Sequence, residues 1–457
     1  MRSEEKLIIA IIGGGVSGSE AAYQLSQRGI SSVVFEKNAL PYGKIEDGLP
    51  KWHIKLRNQE EEKIDQKIDH PNISFVPKIE LGSDISIKQL KDWGFNAVLL
   101  AIGAWRDRPL PLPGIENYIG KGLYYQNSLV AWYNHHHEPD YNGPAYQLAD
   151  GAIVIGGGLA SLDVVKILML ETVLQKMKEL KIKMDLFTLE REGLPVIFKK
   201  YGLSLRKLGL KGCHLFYRRR ISDMPLTPMP TEAGDNRKLK IYQLRKRILQ
   251  NFLQKYLFTM NECLIPAEYL ITKNRLTGLI FQKNTYINGK WKVVPGERHS
   301  VSTSLVISSI GSMPEKLDEL PMEGNILKIE DANSGKIWGY PDVFALGNVV
   351  TGRGNIRESL LHSRAVTKSL LDTHLDILED KYKDWIREDE SITVKRIEHL
   401  VELLKESPAA AEEKIARLFK EIKKLQNKAG YDGNYKKWIK EHLPVRLENL
   451  NAKELQN

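Results

Sequence analysis

Two rhythms of apolar residues alternate along this chain. Lys6 to Ile12 form a β-branched apolar run that ends in GGGVSG; SEAAYQLSQRG follows with helical spacing, and SSVVFEK is a second short apolar run. Short apolar runs bounded by glycine predict buried strands, and apolar positions three and four apart predict a helix. The chain therefore opens with a strand, a glycine loop, a helix and a strand. The same order returns near Ala152, where AIVIGGGLASLDVVKILML reads as strand, glycine turn and apolar helix. Its second strand is expected at Cys213–Tyr217, after a helical and loop insertion from about Glu171 to Gly212. A long basic amphipathic helix is predicted over Arg237–Tyr256, and strands with an Asn288–Lys290 turn over Leu276–Val306. AVLLAIGAW (Ala97–Trp105) and WGYPDVFALGN (Trp338–Asn348) read as two more buried strands running into loops. Beyond Leu371 the pattern is charged and helical, with breaks near Ser407–Pro408 and Gly430–Gly433.

With 457 residues, two or three domains are expected. The apolar share of 42% belongs to a globular chain, and no apolar run approaches the roughly 20 residues of a membrane span. The start, MRSEEKLIIAIIGGG, lacks a cleavage pattern, so a cytoplasmic location is expected. Two cysteines, Cys213 and Cys263, provide neither a disulfide framework, a cysteine-ligated iron–sulfur cluster nor a CxxC redox pair. The net charge of +10 is concentrated mid-chain, where Glu171–Met260 hold about 20 Lys/Arg against about 8 Asp/Glu. Two readings stand for that excess: a solvated basic face, or a surface for an acidic partner or phosphate.

The first glycine loop, Gly13-x-Gly15-x-x-Gly18, has Glu36 at the end of the next strand. Gly13 permits a tight turn, Gly15 lets backbone approach a pyrophosphate, and Gly18 allows close packing of helix on strand. The helix N-terminus offers unpaired amides to phosphate. Glu36 suits the ribose hydroxyls of an adenosine and repels a 2′-phosphate. The second loop is Gly156-x-Gly158-x-x-Ser161, and after its next strand comes Arg218-Arg219-Arg220 where an NAD site carries an acid. A guanidinium matches a phosphate dianion, so these residues favour NADPH over NADH; a surface arginine cluster is the plain alternative. For the tract His135-His136-His137 no metal is expected, since successive helical residues point apart.

The motif order resembles the adrenodoxin reductase and ferredoxin–NADP reductase-like flavoproteins and, more loosely, the glutamate synthase small subunit. The resemblance rests on GGGVSG, VVFEKNALPYG, EDGLPKWHIKLR, LLAIGA, SLVAWYNHHHE, VIGGGLASLDVVKILM, FYRRR, ISSIGSMP and ALGNVVTGRGNI, spread over Ile8 to Leu371. It implies an α/β fold of two nested Rossmann-like domains: FAD-binding segments at 1–120 and 331–371, an inserted NADP-binding domain at 121–330, and a charged helical extension at 372–457. It implies FAD and NADP(H) as cofactors. Gly13, Gly15, Ser17, Gly18, Glu36, Lys37, Gly43, Ala101, Gly103, Gly347, Asn348, Gly354, Asn355 and Ile356 would hold FAD; Gly156, Gly158, Ser161, Arg218 and Arg219 would hold NADP(H). Asn348 replaces the Asp found in many flavoproteins, which removes a charged contact. His53, in an altered Pro-Lys-Trp-His context, would orient the nicotinamide or relay a proton, or is an ordinary core or surface histidine. Glu232 is a further nicotinamide candidate. The implied activity is electron transfer from NADPH through FAD to an acidic protein such as ferredoxin, docked on the basic middle through Arg245, Lys246 and Arg247. The glutamate synthase role is disfavoured, because no cysteines precede the first fingerprint. Alternatives are a stand-alone NADPH-dependent flavin oxidoreductase or monooxygenase of a small molecule, and a redox-responsive binding module. Nucleic-acid binding is not expected: Tyr242, Phe252 and Tyr256 fit a buried stripe as well as a stacking surface.

Overall fold

The computed structural model describes residues 7–227, 229, 234–331, 333–347, 349, 377–405 and 412–454. Along the chain, β1 (Ile8–Ile12), β2 (Ser31–Glu36), β3 (Ile73–Pro77) and β4 (Ala97–Leu100) come first, with helix α1 (Val16–Ser26) between β1 and β2 and α2 (Ile54–Ile68) before β3. Next come β5 (Leu123–Tyr125), β6 (Ile153–Gly156), the 21-residue helix α3 (Leu159–Glu179), β7 (His214–Tyr217), α4 (Asp235–Tyr256) and β8 (Thr259–Glu262). Three long antiparallel strands, β9 (Leu264–Thr272), β10 (Arg275–Ile287) and β11 (Lys290–Ser302), precede β12 (Val306–Ser309). Then β13 (Ile329–Asp331), β14 (Lys336–Ile337) and β15 (Val343–Ala345) lead to the C-terminal helices α5 (Ile377–Leu404), α6 (Glu412–Ala429) and α7 (Tyr435–His442).

These strands form one sheet in the order β13-β14-β15-β4-β1-β2-β3, a second in the order β5-β12-β6-β7-β8, and a third, β9-β10-β11. In the first, β1 runs parallel to both β2 and β4, and β4 parallel to β15. The register pairs Ile12 with Phe35 and with Leu100, and Ala345 with Leu100, so four strands end side by side. In the second, β6 lies between β12 and β7, with Gly156 opposite Ser309 and Ile155 opposite Phe216. Both glycine loops thus leave a central strand at its carboxyl end, where neighbouring connections diverge; open α/β sheets bind ligands there.

Alternation along β1 sends Ile9 and Ile11 to one face and Ile8 and Ala10 to the other, and all four are buried. The C-terminal helices cover both faces. Ile386, Ile397 and Leu400 of α5 and Trp438 of α7 join the Ile9 side, while Leu418 and Ile422 of α6 join the Ile8 side. Charge dominates this segment in sequence, but its sparse apolar stripe completes the first sheet's core. No described helix is long and apolar enough to cross a membrane.

Candidate functional site

The two glycine loops solve one steric problem in the same way. A methyl group on Gly13 would lie 2.6 Å from the Ala101 carbonyl oxygen, and one on Gly156 would lie 2.5 Å from that of Ser309. The first glycine of each loop therefore lies against the end of the crossing strand. A methyl on Gly18 would meet the Gly13 oxygen at 1.8 Å, and one on Gly156 would meet Ser161 Cβ at 2.7 Å, so the third position packs on the first. The middle glycines differ: among the described residues, a methyl on Gly15 or on Gly158 would meet nothing within 4 Å. Each is the N-cap of its helix in an extended conformation, and no side-chain hydrogen bond caps the first amides of α1 or α3. Unpaired amides at a helix N-terminus with a free approach suit a phosphate.

Around the first loop lies a cavity of about 430 Å³. Of the expected residues, Gly13, Gly15, Ser17, Glu36, Lys37, Gly43, Ala101 and Gly103 line it. Gly18 sits behind the loop. Gly347 abuts it: a methyl there would lie 2.2 Å from Ser17 Oγ. Asn348, Gly354, Asn355, Ile356 and Glu232 lie outside the described residues. Glu36 Oε2 accepts from the Gly14 amide at 2.8 Å and Oε1 from the Asn38 amide at 2.9 Å. It thus braces the loop, and each oxygen can still accept a second hydrogen bond. Burial pushes its pKa above the ordinary value, against the two amide bonds.

Four residues at or near this site carry no motif in the sequence. Lys44 follows Gly43, whose positive φ of 51° is open to glycine, lines the cavity and lies 5.4 Å from the centre of the Trp105 ring. Its Nζ donates to Asn127 and Ser312, and burial lowers its pKa to about 8 against the attraction of Asp107. Trp385 and Asp389, one helical turn apart on α5, also line the cavity. Ser17 Oγ donates to Asp389 Oδ2 at 2.5 Å. Burial raises the Asp389 carboxyl to about 6, against the Ser17 hydrogen bond and the charge of Arg396. Nothing in local sequence ties Asp389 to Ser17, 372 positions away; only the packing of α5 along α1 does.

The fourth is Asp163, buried on α3 two residues beyond Ser161. Its Oδ1 lies 3.8 Å from Nε2 of His53, the N-cap of α2, and neither atom has a hydrogen-bond partner among the described residues. Tyr382 of α5 donates to the other Asp163 oxygen, and its ring meets that of His53 edge to face, with centroids 5.4 Å apart. An acid within the apolar helix pattern LASLDVVKILML was the available signal. His53 does not line the cavity.

At the second loop, Ser161 Oγ turns back to the Gly158 carbonyl at 2.6 Å. Arg218 and Arg219 are exposed just past β7, beside that loop's sheet edge. Arg245 requires a correction. It is not part of an exposed basic cluster: it is buried, and its guanidinium donates to the carbonyls of Thr227 and Ser222, tying α4 to the preceding loop. Lys246 and Arg247 are exposed. Of the histidine tract, His135 pairs with Asp47 at 3.0 Å and with Glu138, His136 stacks on Trp132, and His137 meets the Val445 carbonyl. Among the described residues, no His/Cys/Asp/Glu group is placed to hold a metal.

Residues 8–172 match the family model for pyridine nucleotide-disulphide oxidoreductases. The chain is 30% identical over 267 residues to the mitochondrial NADPH:adrenodoxin oxidoreductase of Arabidopsis thaliana, covering 54% of this chain and 51% of that protein. It is 24% identical to the glutamate synthase [NADPH] small chain of Mycobacterium tuberculosis, over 79% of this chain and 66% of the relative. A probable ferredoxin/ferredoxin–NADP reductase of Mycobacterium bovis is 32% identical over 36% of this chain and 28% of its own length. The chain thus spans about half the length of the adrenodoxin reductase relative. The structure of Mycobacterium tuberculosis FprA in complex with NADPH superposes with a TM-score of 0.67, covering 93% of this chain and 91% of that one at 17% identity. Its two-dinucleotide-domain fold is the fold of this chain, and the resemblance to adrenodoxin reductase holds in sequence.

Proposed function

We propose that the chain is an FAD-dependent NADPH oxidoreductase that passes electrons to an acidic electron-transfer protein of the ferredoxin type. The observation that carries this reading is the matched geometry of the two loops. Each has a first glycine against a strand end, a third position packed on the first, and an open middle glycine capping a helix. Two such cradles on two sheets suit two dinucleotides, and the names of the relatives agree with it.

The residues divide the work. The α1 amides and Gly15 would take the FAD pyrophosphate, Glu36 the adenosine ribose, and Lys37, Lys44 and Trp105 the remainder of the cavity. The α3 amides and Gly158 would take the NADPH pyrophosphate, with Arg218 and Arg219 on its 2′-phosphate. His53 Nε2 and Asp163 Oδ1 face each other closely enough to share a proton through a small shift, and Tyr382 fixes the carboxylate from behind. The chemistry FAD supplies when bound is acceptance of hydride and release of single electrons. For the acceptor, α4 presents Lys240 and Arg247, seven residues apart on one face, with Lys246 beside them; Lys199, Lys200, Arg206 and Lys207 add exposed charge nearby in sequence. We place the protein in the cytoplasm, where such an acceptor and NADPH meet.

The test is a visible spectrum of the purified full chain, followed by its bleaching with NADPH and with NADH, with and without ferredoxin. Flavin absorbance, faster bleaching by NADPH and ferredoxin-dependent turnover are expected. Colourless protein that takes up no FAD would overturn the reading. Bleaching without transfer to ferredoxin would move the acceptor to a small molecule.

A further inference from the structure

Arg218 and Arg219 follow the end of β7, and the backbone on both sides of them is held from outside their own segment. Asn284 Nδ2, on β10, donates to the Arg218 carbonyl at 2.7 Å. The Cys263 amide donates to the Arg219 carbonyl at 3.1 Å. Glu262 accepts the Ile221 amide at 2.6 Å. Between these ties stands Arg220. Its Nε and Nη2 reach Asp223 at 3.0 and 3.3 Å, and its guanidinium lies 5.3 Å from the Tyr286 ring and 5.7 Å from the Trp291 ring.

Tyr286 and Trp291 are directly opposed across the β10–β11 hairpin, with ring centroids 5.4 Å apart. Asn288 and Gly289 make the tight turn beyond them at φ +50° and +77°, the conformation of a two-residue hairpin loop. A 49% exposed tyrosine beside a tryptophan at a hairpin tip exposes apolar surface to water. A guanidinium beside these rings offsets part of that cost and is itself restrained by them. Among the described residues Arg218 and Arg219 donate to nothing, so their side chains stand ready while their backbone is fixed. A backbone fixed beforehand spares phosphate binding the entropy loss of ordering the main chain that carries the arginine pair.

We propose that the β10–β11 hairpin tip is a specificity element: Tyr286 and Trp291 hold Arg220, and with it the backbone of Arg218 and Arg219, in the conformation that receives a 2′-phosphate. The hairpin then sets the preference for NADPH over NADH without touching the nucleotide. This rests on the reading of the second loop as an NADPH site, and the test separates the two.

Binding of 2′,5′-ADP and of 5′-ADP to the full-length protein is measured by calorimetry in the parent, in a Tyr286→Leu/Trp291→Leu double variant, in Tyr286→Phe/Trp291→Phe, and in Arg220→Lys. The parent is expected to favour 2′,5′-ADP. The leucine double variant should lose on the order of tenfold in affinity for 2′,5′-ADP and almost nothing for 5′-ADP, while the phenylalanine variant, which keeps both rings, retains the parent values. Arg220→Lys keeps the charge but not the fork to Asp223, and should fall like the leucine variant; it serves if that variant fails to fold. In steady state the same variants should raise the NADPH KM and leave kcat and the NADH parameters in place. A parent without preference for 2′,5′-ADP sinks the NADPH reading itself. A preferring parent whose leucine and lysine variants keep the preference, or lose both ligands equally, overturns the role of the hairpin.

Discussion

Single glycines at these loops have opposite tolerances, and space decides which. Gly15 and Gly158 have negative φ, and among the described residues a methyl on either would meet nothing within 4 Å, so valine at either should leave the fold standing while filling the phosphate approach. Gly15→Val is expected to yield folded, colourless protein; unchanged flavin content at an unchanged Tm would exclude that loop as the flavin cradle. Gly18→Ala should instead destabilise, because its methyl would sit 1.8 Å from backbone that cannot step aside. Asp389 poses a different problem. Its carboxyl is raised from an ordinary 3.8 to about 6, so the folded chain holds that proton more tightly than the unfolded chain does. Its ionisation therefore opposes folding: stability is highest below about pH 4 and falls as pH rises toward about 6, by on the order of 3 kcal/mol for this group. Asp389→Asn removes this titration and a negative charge beside the α1 N-terminus. It should raise Tm over the parent at neutral pH, lose that advantage near pH 4, and tighten FAD. Parallel Tm curves for the two proteins across that range would show that the carboxylate costs nothing.

At the scale of elements, α4 was legible as a helix but not in how it faces its surroundings. The spacing of Arg245, Lys246 and Arg247 reads as one basic patch, yet only tertiary contact distinguishes a guanidinium bound to carbonyls from one in water. Arg245→Ala removes the donor that the Thr227 and Ser222 carbonyls share and should cost about 1–3 kcal/mol. Lys240→Glu/Arg247→Glu should leave stability and NADPH-to-dye reduction alone. Reduction of an acidic acceptor should slow, and the difference should vanish as salt shortens the Debye length from about 10 Å at 0.1 M. Equal acceptor rates in parent and variant at low salt would remove α4 from the docking surface. The 13-residue strands of the third sheet were legible only through their Asn288–Lys290 turn, because their one-sided burial leaves many exposed polar positions.

For the whole molecule, the C-terminal helices are part of the core and not an appendage. Trp438 is buried in the first sheet's packing and its indole N–H donates to the Ala39 carbonyl at 2.8 Å, while Ile422 lies in the cluster on the other face. Trp438→Ala should cost about 3–5 kcal/mol and Ile422→Ala about 2–5 kcal/mol in denaturant unfolding. Losses below about 1 kcal/mol at both would mean that these helices rest on the sheet without stabilising it. Because α5 also carries Trp385 and Asp389 to the first loop and Tyr382 to Asp163, destabilising the tail should disturb that site as well.

The amino-acid sequence by itself determined the two strand–loop–helix units, since glycine spacing and apolar runs are local consequences of backbone sterics and strand burial. It also marked Glu36 and the arginines after β7, because a strand's length sets where its end falls relative to the loop it faces. It could not show which buried charges meet. His53 and Asp163 are 110 positions apart, Ser17 and Asp389 still further, and their distances depend on how helices pack against sheets. The tail's role was equally hidden: a few apolar residues among many charges become core only when a sheet face lies opposite them. Periodicity reveals which side of an element avoids water, but the partner on that side is chosen by tertiary packing.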